Sequence, residues 1–323
     1  MMKRCFAILT VLVLLSGLSS AWAEAAPADP TARTAKITAH FAGVEEGQKL
    51  MRGRTLYHAQ INESNLAFLL QKKGGTLEEY IDYAAGQVLP FEPEDEQRIS
   101  GALDWIQGVL EAGGLSLPDP GTVTFVKTTG MEESGAAGYT SEGVIFLAQT
   151  VFAKVPERNF RLLVLHELSH CLSRLFPEYR KALYSQIHFS VLDKDIDIPR
   201  EIMDVIVANP DVEHHNSTAV FTIGGKKTEC YLVFLTDAVF EKPGDTFFTG
   251  MYTGIVPLGE TRIYRTEEVE DFWDVVGRNT NYAVDPEEIM ADNFSFAVEK
   301  LDNPEAAYKN PEILEGILEY LKQ

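Results

Sequence analysis

The sequence predicts an α+β chain, mostly helical, with a small sheet and a β-rich insertion. Three observations carry this reading. Apolar residues recur at helical spacing over much of the chain, two β-branched runs precede a strongly apolar helical segment, and the region of about 191–278 turns β-rich before helical character returns.

Taken in order, Ala25 to Arg33 ("AAPADPTAR") reads as a flexible leader, and Gly47 to Leu70 and Thr76 to Ala84 carry helical periodicity. Glu92 to Ala112 should form a further helix, its acidic start suiting the helix dipole and Gly113-Gly114 ending it. "TVTFVKT" (Thr122 to Thr128) and "GVIFLAQT" (Gly143 to Thr150) read as strands, with the Gly-rich "SGAAGYTSEG" between them as a loop. A helix over Phe160 to Phe176 follows, then another over Pro177 to Phe189, and "DKDIDIP" marks a surface break. From Ala219 to about Arg265 the pattern is β, with Gly224-Gly225 between two alternating runs as a hairpin signal. Helical character resumes at Glu267 to Val276 and from Asp285 onward.

The first 23 residues read as a secretory signal peptide: Lys3 and Arg4 precede the apolar run Cys5 to Leu18, and Ala21-Trp22-Ala23 is a small-residue cleavage pattern. The run is shorter than the ~20 apolar residues of a spanning helix. This implies an exported chain, periplasmic or secreted, with residues 24–34 as leader, 35–323 as one domain and no membrane span after cleavage. The formal net charge is −20, and removal of Lys3 and Arg4 makes it more negative, which argues against nucleic acid as a partner. Beyond the leader only Cys171 and Cys230 remain. They could pair in an oxidising compartment or stay free and buried, and spacing does not decide between these.

The informative segment is "FRLLVLHELSHCLSRLF", Phe160 to Phe176. Positions i and i+4 share a helix face, so His166 and His170 can aim at one point, and His166-Glu167-Leu168-Ser169-His170 is H-E-x-x-H. Two imidazoles suit a zinc ion, and a neighbouring carboxylate can take a proton from water. A second pair, Glu288 and Asp292, also shares a face, whereas Glu287 has Ala291 at the matching position. Asp285-Pro286-Glu287-Glu288 can equally be a plain helix start, with Asp as cap and Glu288 closing a capping box.

With Val164 through Leu172 uncharged apart from His166, Glu167 and His170, the segment resembles the zincin metallopeptidases, and Glu288-x-x-x-Asp292 is similar to the gluzincin (thermolysin-like) branch. The resemblance implies a zincin-like fold, Zn2+ held by His166, His170 and Glu288, Asp292 orienting His166, and Glu167 as the catalytic base. The implied activity is hydrolysis of peptide bonds in a peptide or protein substrate. Tyr282 is the expected oxyanion donor, with Tyr252, His214 and His215 as rivals; His188, His214 and His215 are rival third ligands. "GVIFLAQT" would be the edge strand that pairs with substrate. The long separation of His170 from Glu288 departs from thermolysin-like enzymes and makes the β-rich region an insertion over the site. The alternatives are a catalytically silent zinc-binding module and an envelope recognition protein without metal.

Overall fold

A computed structural model describes residues 36–322; the expected signal peptide and leader lie outside the described residues. The chain is mixed α and β, compatible with α+β, and has two five-stranded sheets.

The N-terminal part runs β1 (Thr38–Phe41), α1 (Val44–Met51), α2 (Leu56–Gln60), α3 (Glu63–Leu70), α4 (Leu77–Ala85), β2 (Val88–Leu89) and α5 (Pro93–Ala112). Gly47 to Leu70 is thus divided into three short helices, because Thr55 and Asn62 each act as a new N-cap. After α5 come β3 (Thr122–Thr128), β4 (Gly138–Ser141) and β5 (Val144–Ala148). The expected loop "SGAAGYTSEG" therefore contains a strand. Glu142 and Gly143 both take positive φ, 49° and 75°, which gives the tight turn that folds Tyr139 and Thr140 back onto β5.

Strand order in this first sheet is β1-β3-β5-β4, with β2 paired to β3. The β1–β3 and β3–β5 pairs are parallel, and β4 runs antiparallel to β5. The edge beside the helical core is β4, so "GVIFLAQT" is an interior strand; Val144–Ala148 is buried at every position, which is why the segment is so apolar.

Next in the chain are α6 (Gln149–Lys154), α7 (Glu157–Leu175) and α8 (Pro177–Gln186), then β6 (Ser190–Val191) and α9 (Arg200–Met203). The insertion forms the second sheet with β7 (Ser217–Ile223), β8 (Lys226–Thr236), β9 (Met251–Pro257) and β10 (Tyr264–Arg265), antiparallel throughout in the order β10-β9-β8-β7-β6. Gly224 and Gly225, both at positive φ, make the β7–β8 turn. Short α10 (Phe272–Val276) leads to α11 (Pro286–Asp302) and α12 (Pro311–Leu321). Among the described residues no helix is long and apolar enough to cross a membrane.

The main core packs α5, α7, α11 and α12 against the first sheet through Ile99, Ile106, Phe160, Leu165, Leu172, Phe294 and Ile317. Helix α7 is enclosed on most of its circumference, and its buried residues include the polar Glu167, Ser169, His170 and Ser173. A helix enclosed this way must satisfy its polar groups within the protein. That requirement builds the site.

Candidate metal centre

His166, His170 and Ser173 of α7 each meet a carboxylate on α11. The His166 and His170 rings lie 4.8 Å apart between centroids. His166 Nδ1 faces Asp292 Oδ1 at 2.9 Å and its Nε2 faces Glu288 Oε2 at 3.1 Å. Asp292 is held in turn by the Thr280 hydroxyl, and Asn209 donates to Glu288 Oε1. Burial works to lower the His166 pKa, but the hydrogen bonds to Asp292 and Glu288 outweigh it and hold the ring well above its usual value. A positive charge therefore belongs between His166 Nε2 and Glu288, supplied by a proton or by a metal ion.

His170 has its own orienting carboxylate, which the sequence pattern missed. Its Nδ1 faces Glu287 Oε1 at 3.1 Å. Glu287 also accepts from Ser173, Tyr184 and Arg180, and although burial opposes ionisation, the bonds from His170 and Arg180 keep its carboxyl well below the usual range. Glu287 indeed has no carboxylate at i+4 on α11, but at the first turn of a helix adjacent residues can reach two different neighbours on α7. The available signal was chemical: a ligand imidazole needs an acceptor for its other ring N–H, and "DPEE" offers one spare carboxylate.

The helix start is also real. Asp285 caps α11 by accepting from the Glu287 N–H at 2.9 Å, with Pro286 in the first turn. Glu288, however, is 1 % exposed and turned to His166 and Asn209. The capping and site readings thus divide the segment between them.

Glu167 lies at the same face, 2 % exposed, and its Oε2 accepts from the Thr140 hydroxyl at 2.8 Å. Burial pushes its carboxyl up, opposed by the two histidines and Thr140. A Cβ built on Gly138 would stand 3.0 Å from Glu167 Oε1, so glycine leaves β4 room to run past this carboxylate. Asp211, from the insertion, completes the wall: its Oδ1 accepts the Thr140 N–H at 2.6 Å and stands 3.8 Å from His170 Nε2. Burial and the nearby Glu167 and Glu288 push its carboxyl well up.

A cavity of about 300 Å³ opens on His166, Glu167, Asp211, Tyr282, Glu288 and Asp292. Tyr282 thus lines the site. Tyr252 does not: it packs against a separate apolar cluster of Ile202, Ile206, Val233 and Leu235, under the Arg265 guanidinium. Of the rival ligands, His188 bonds the Val275 carbonyl, His214 faces Asp195 and His215 faces Gln60. Cys171 and Cys230 are free and buried.

The residues fit a metal ion. His170 Nε2 is fully buried, has no hydrogen-bond partner among the described residues and stands 3.7 Å from Glu288 Oε2. Two donors about 2.1 Å from a tetrahedral zinc are about 3.4 Å apart, between this distance and the 3.1 Å from His166 Nε2 to Glu288 Oε2. His166, His170 and Glu288 form one group able to hold an ion, and Glu167, His170 and Asp211 form another that shares His170. No family model, curated protein or solved structure matches this chain.

Proposed function

We propose that the chain is an exported zinc-dependent metallopeptidase of the zincin type, gluzincin branch, acting on a peptide or protein substrate. The observation that carries this reading is His170 Nε2, an enclosed imidazole nitrogen with no protein partner, facing Glu288 beside His166 and Glu167. A recognition module without metal would have no use for such an atom, and one without chemistry would have no use for Glu167 in the cavity wall.

His166, His170 and Glu288 would hold zinc, with Asp292 and Glu287 fixing the two rings through Nδ1. Zinc, when bound, polarises a carbonyl and makes a water acidic. Glu167 then takes the water's proton on its carboxylate and passes it to the departing amine. Thr140 holds Glu167 in place through its hydroxyl, and the Tyr282 hydroxyl donates to the developing oxyanion. The apolar packing around α7 keeps bulk water from the base.

The test joins zinc stoichiometry of the purified chain with cleavage of a mixed peptide library. The expected result is a single equivalent of zinc, retained through dialysis, and zinc-dependent cleavage. A zinc-loaded chain that cuts no peptide would end the peptidase reading, and a folded chain that holds no zinc would end the metal reading.

A further inference from the structure

The edge of the first sheet carries an inference that rests on the peptidase reading and narrows its substrate. Strand β4 is an edge strand, and an antiparallel ladder turns the N–H and C=O of alternate residues outward. At Thr140 both outward groups are taken by side chains: its N–H donates to Asp211 Oδ1 at 2.6 Å, and its carbonyl accepts from Arg174 Nη2 at 3.3 Å. At Glu142 the N–H donates to Glu213 Oε1 at 2.7 Å. The stretch of the insertion that holds Asp211 and Glu213 therefore lies along this edge as an added strand would.

Two residues before Thr140, Gly138 turns its backbone to the same outer side, and it lines the cavity with His166, Glu167, Asp211 and Tyr282. A strand rises about 3.4 Å per residue, so a peptide paired at Gly138 has roughly 7 Å, room for about one residue, before it meets Asp211. The closing group is the buried Asp211 carboxyl. Glu213 is neutralised by Arg174 at 2.9 Å, and Arg174 Nη2 is turned to the carbonyls of Thr140, Pro210 and Asp211. The Asp211 carboxyl accepts the Thr140 N–H and, among the described residues, has no ion pair with Lys or Arg. An ammonium group docked at this end would supply the cationic partner that the buried carboxyl lacks, and a substrate carboxylate would not.

The geometry points to an aminopeptidase: the peptide enters by its amino terminus, and Asp211 holds its free α-ammonium group. Hydrolysis breaks the first peptide bond, with water giving OH to the carbonyl carbon and H to the departing amine, and releases one amino acid. Internal bonds are out of reach, because the chain would have to pass through Asp211 and the bonds it makes to β4.

The experiment separates recognition from turnover. Zinc-loaded Glu167→Gln protein is titrated by calorimetry with an apolar tripeptide bearing a free amino terminus and with its N-acetylated twin, and the unmutated protein is assayed on both. The free peptide should bind at least about 30-fold more tightly, the low end for loss of one partner of a buried charge pair, and Asp211→Asn should abolish that preference. The unmutated protein should release the first residue of the free peptide and leave the acetylated one intact. Equal binding, binding of neither form, or cleavage inside the acetylated peptide overturns the proposal. A preference for the free amine without any turnover would sink the peptidase reading, and the aminopeptidase activity with it, while leaving Asp211 as the group that binds the amine. Because the two peptides are first compared on protein with native Asp211, the result does not depend on the Asp211 variant folding.

Discussion

Two buried carboxylates in this protein, Glu287 and Glu133, meet opposite fates. At α7, Glu287 is 6 % exposed and lies well below the usual carboxyl range, because the bonds from His170 and Arg180 outweigh its burial. In the segment before β4, Glu133 is 4 % exposed and is pushed up to about 8, because burial outweighs the hydroxyls of Tyr80 and Tyr57 that donate to it. Glu132 beside it is also raised by burial, with a hydrogen bond from Tyr139. Neutral hydroxyls satisfy a carboxyl without making its charge stable; cationic partners do both. Glu287 is therefore suited to holding positive charge beside the candidate metal centre, and Glu133 to packing.

Variants can break this division, starting with the largest effect on turnover. Glu167→Gln should retain zinc and lower kcat by about 10²–10⁴-fold, since an amide cannot serve as base; near-normal turnover would remove Glu167 from the chemistry. Glu287→Gln and Asp292→Asn should each cost roughly 10 to 100-fold in zinc affinity or activity, because each loosens one imidazole. Zinc titration of the two variants sharpens the comparison: a loss for Asp292→Asn alone would show that Glu287 serves stability only.

In the tyrosine group, Tyr80→Phe should leave turnover near normal and destabilise the fold by about 1–3 kcal/mol in denaturant melts, since a buried acceptor loses a donor. A large fall in kcat with unchanged stability would merge the two groups. The smallest effect on turnover belongs to Glu133→Gln, whose readout is pH. The folded protein holds a proton on Glu133 up to about pH 8 that the unfolded chain releases near 4.5, so stability declines as pH rises through that window. Glu133→Gln should flatten the decline; an unchanged slope would show that this carboxyl ionises without cost.

What was legible in the sequence follows from periodicity. Helix α7 projects His166 and His170 to one side by its own pitch, and α11 does the same for Glu288 and Asp292, so residue spacing sufficed. Strand β4 was illegible because Gly and Ser dominate its surroundings, and only the Glu142-Gly143 turn makes it a strand. Asn209 and Asp211 were illegible for another reason: they lie between α9 and β7, where no period relates neighbours, and their roles come from contacts with Glu288 and Thr140 far off in the chain.

The joining of α7 to α11 also has a consequence in time. The contacts from His166 to Glu288 and from His170 to Glu287 span 122 and 117 residues. A growing chain adds about 5–20 residues per second. Both histidines are thus made several seconds before either carboxylate exists, and a chain stopped short of Pro286 carries the H-E-x-x-H helix without the partners that orient it. Contacts this distant in sequence form late, after the intervening loop has been closed. The order of synthesis keeps the candidate metal centre unassembled until most of the fold has been made.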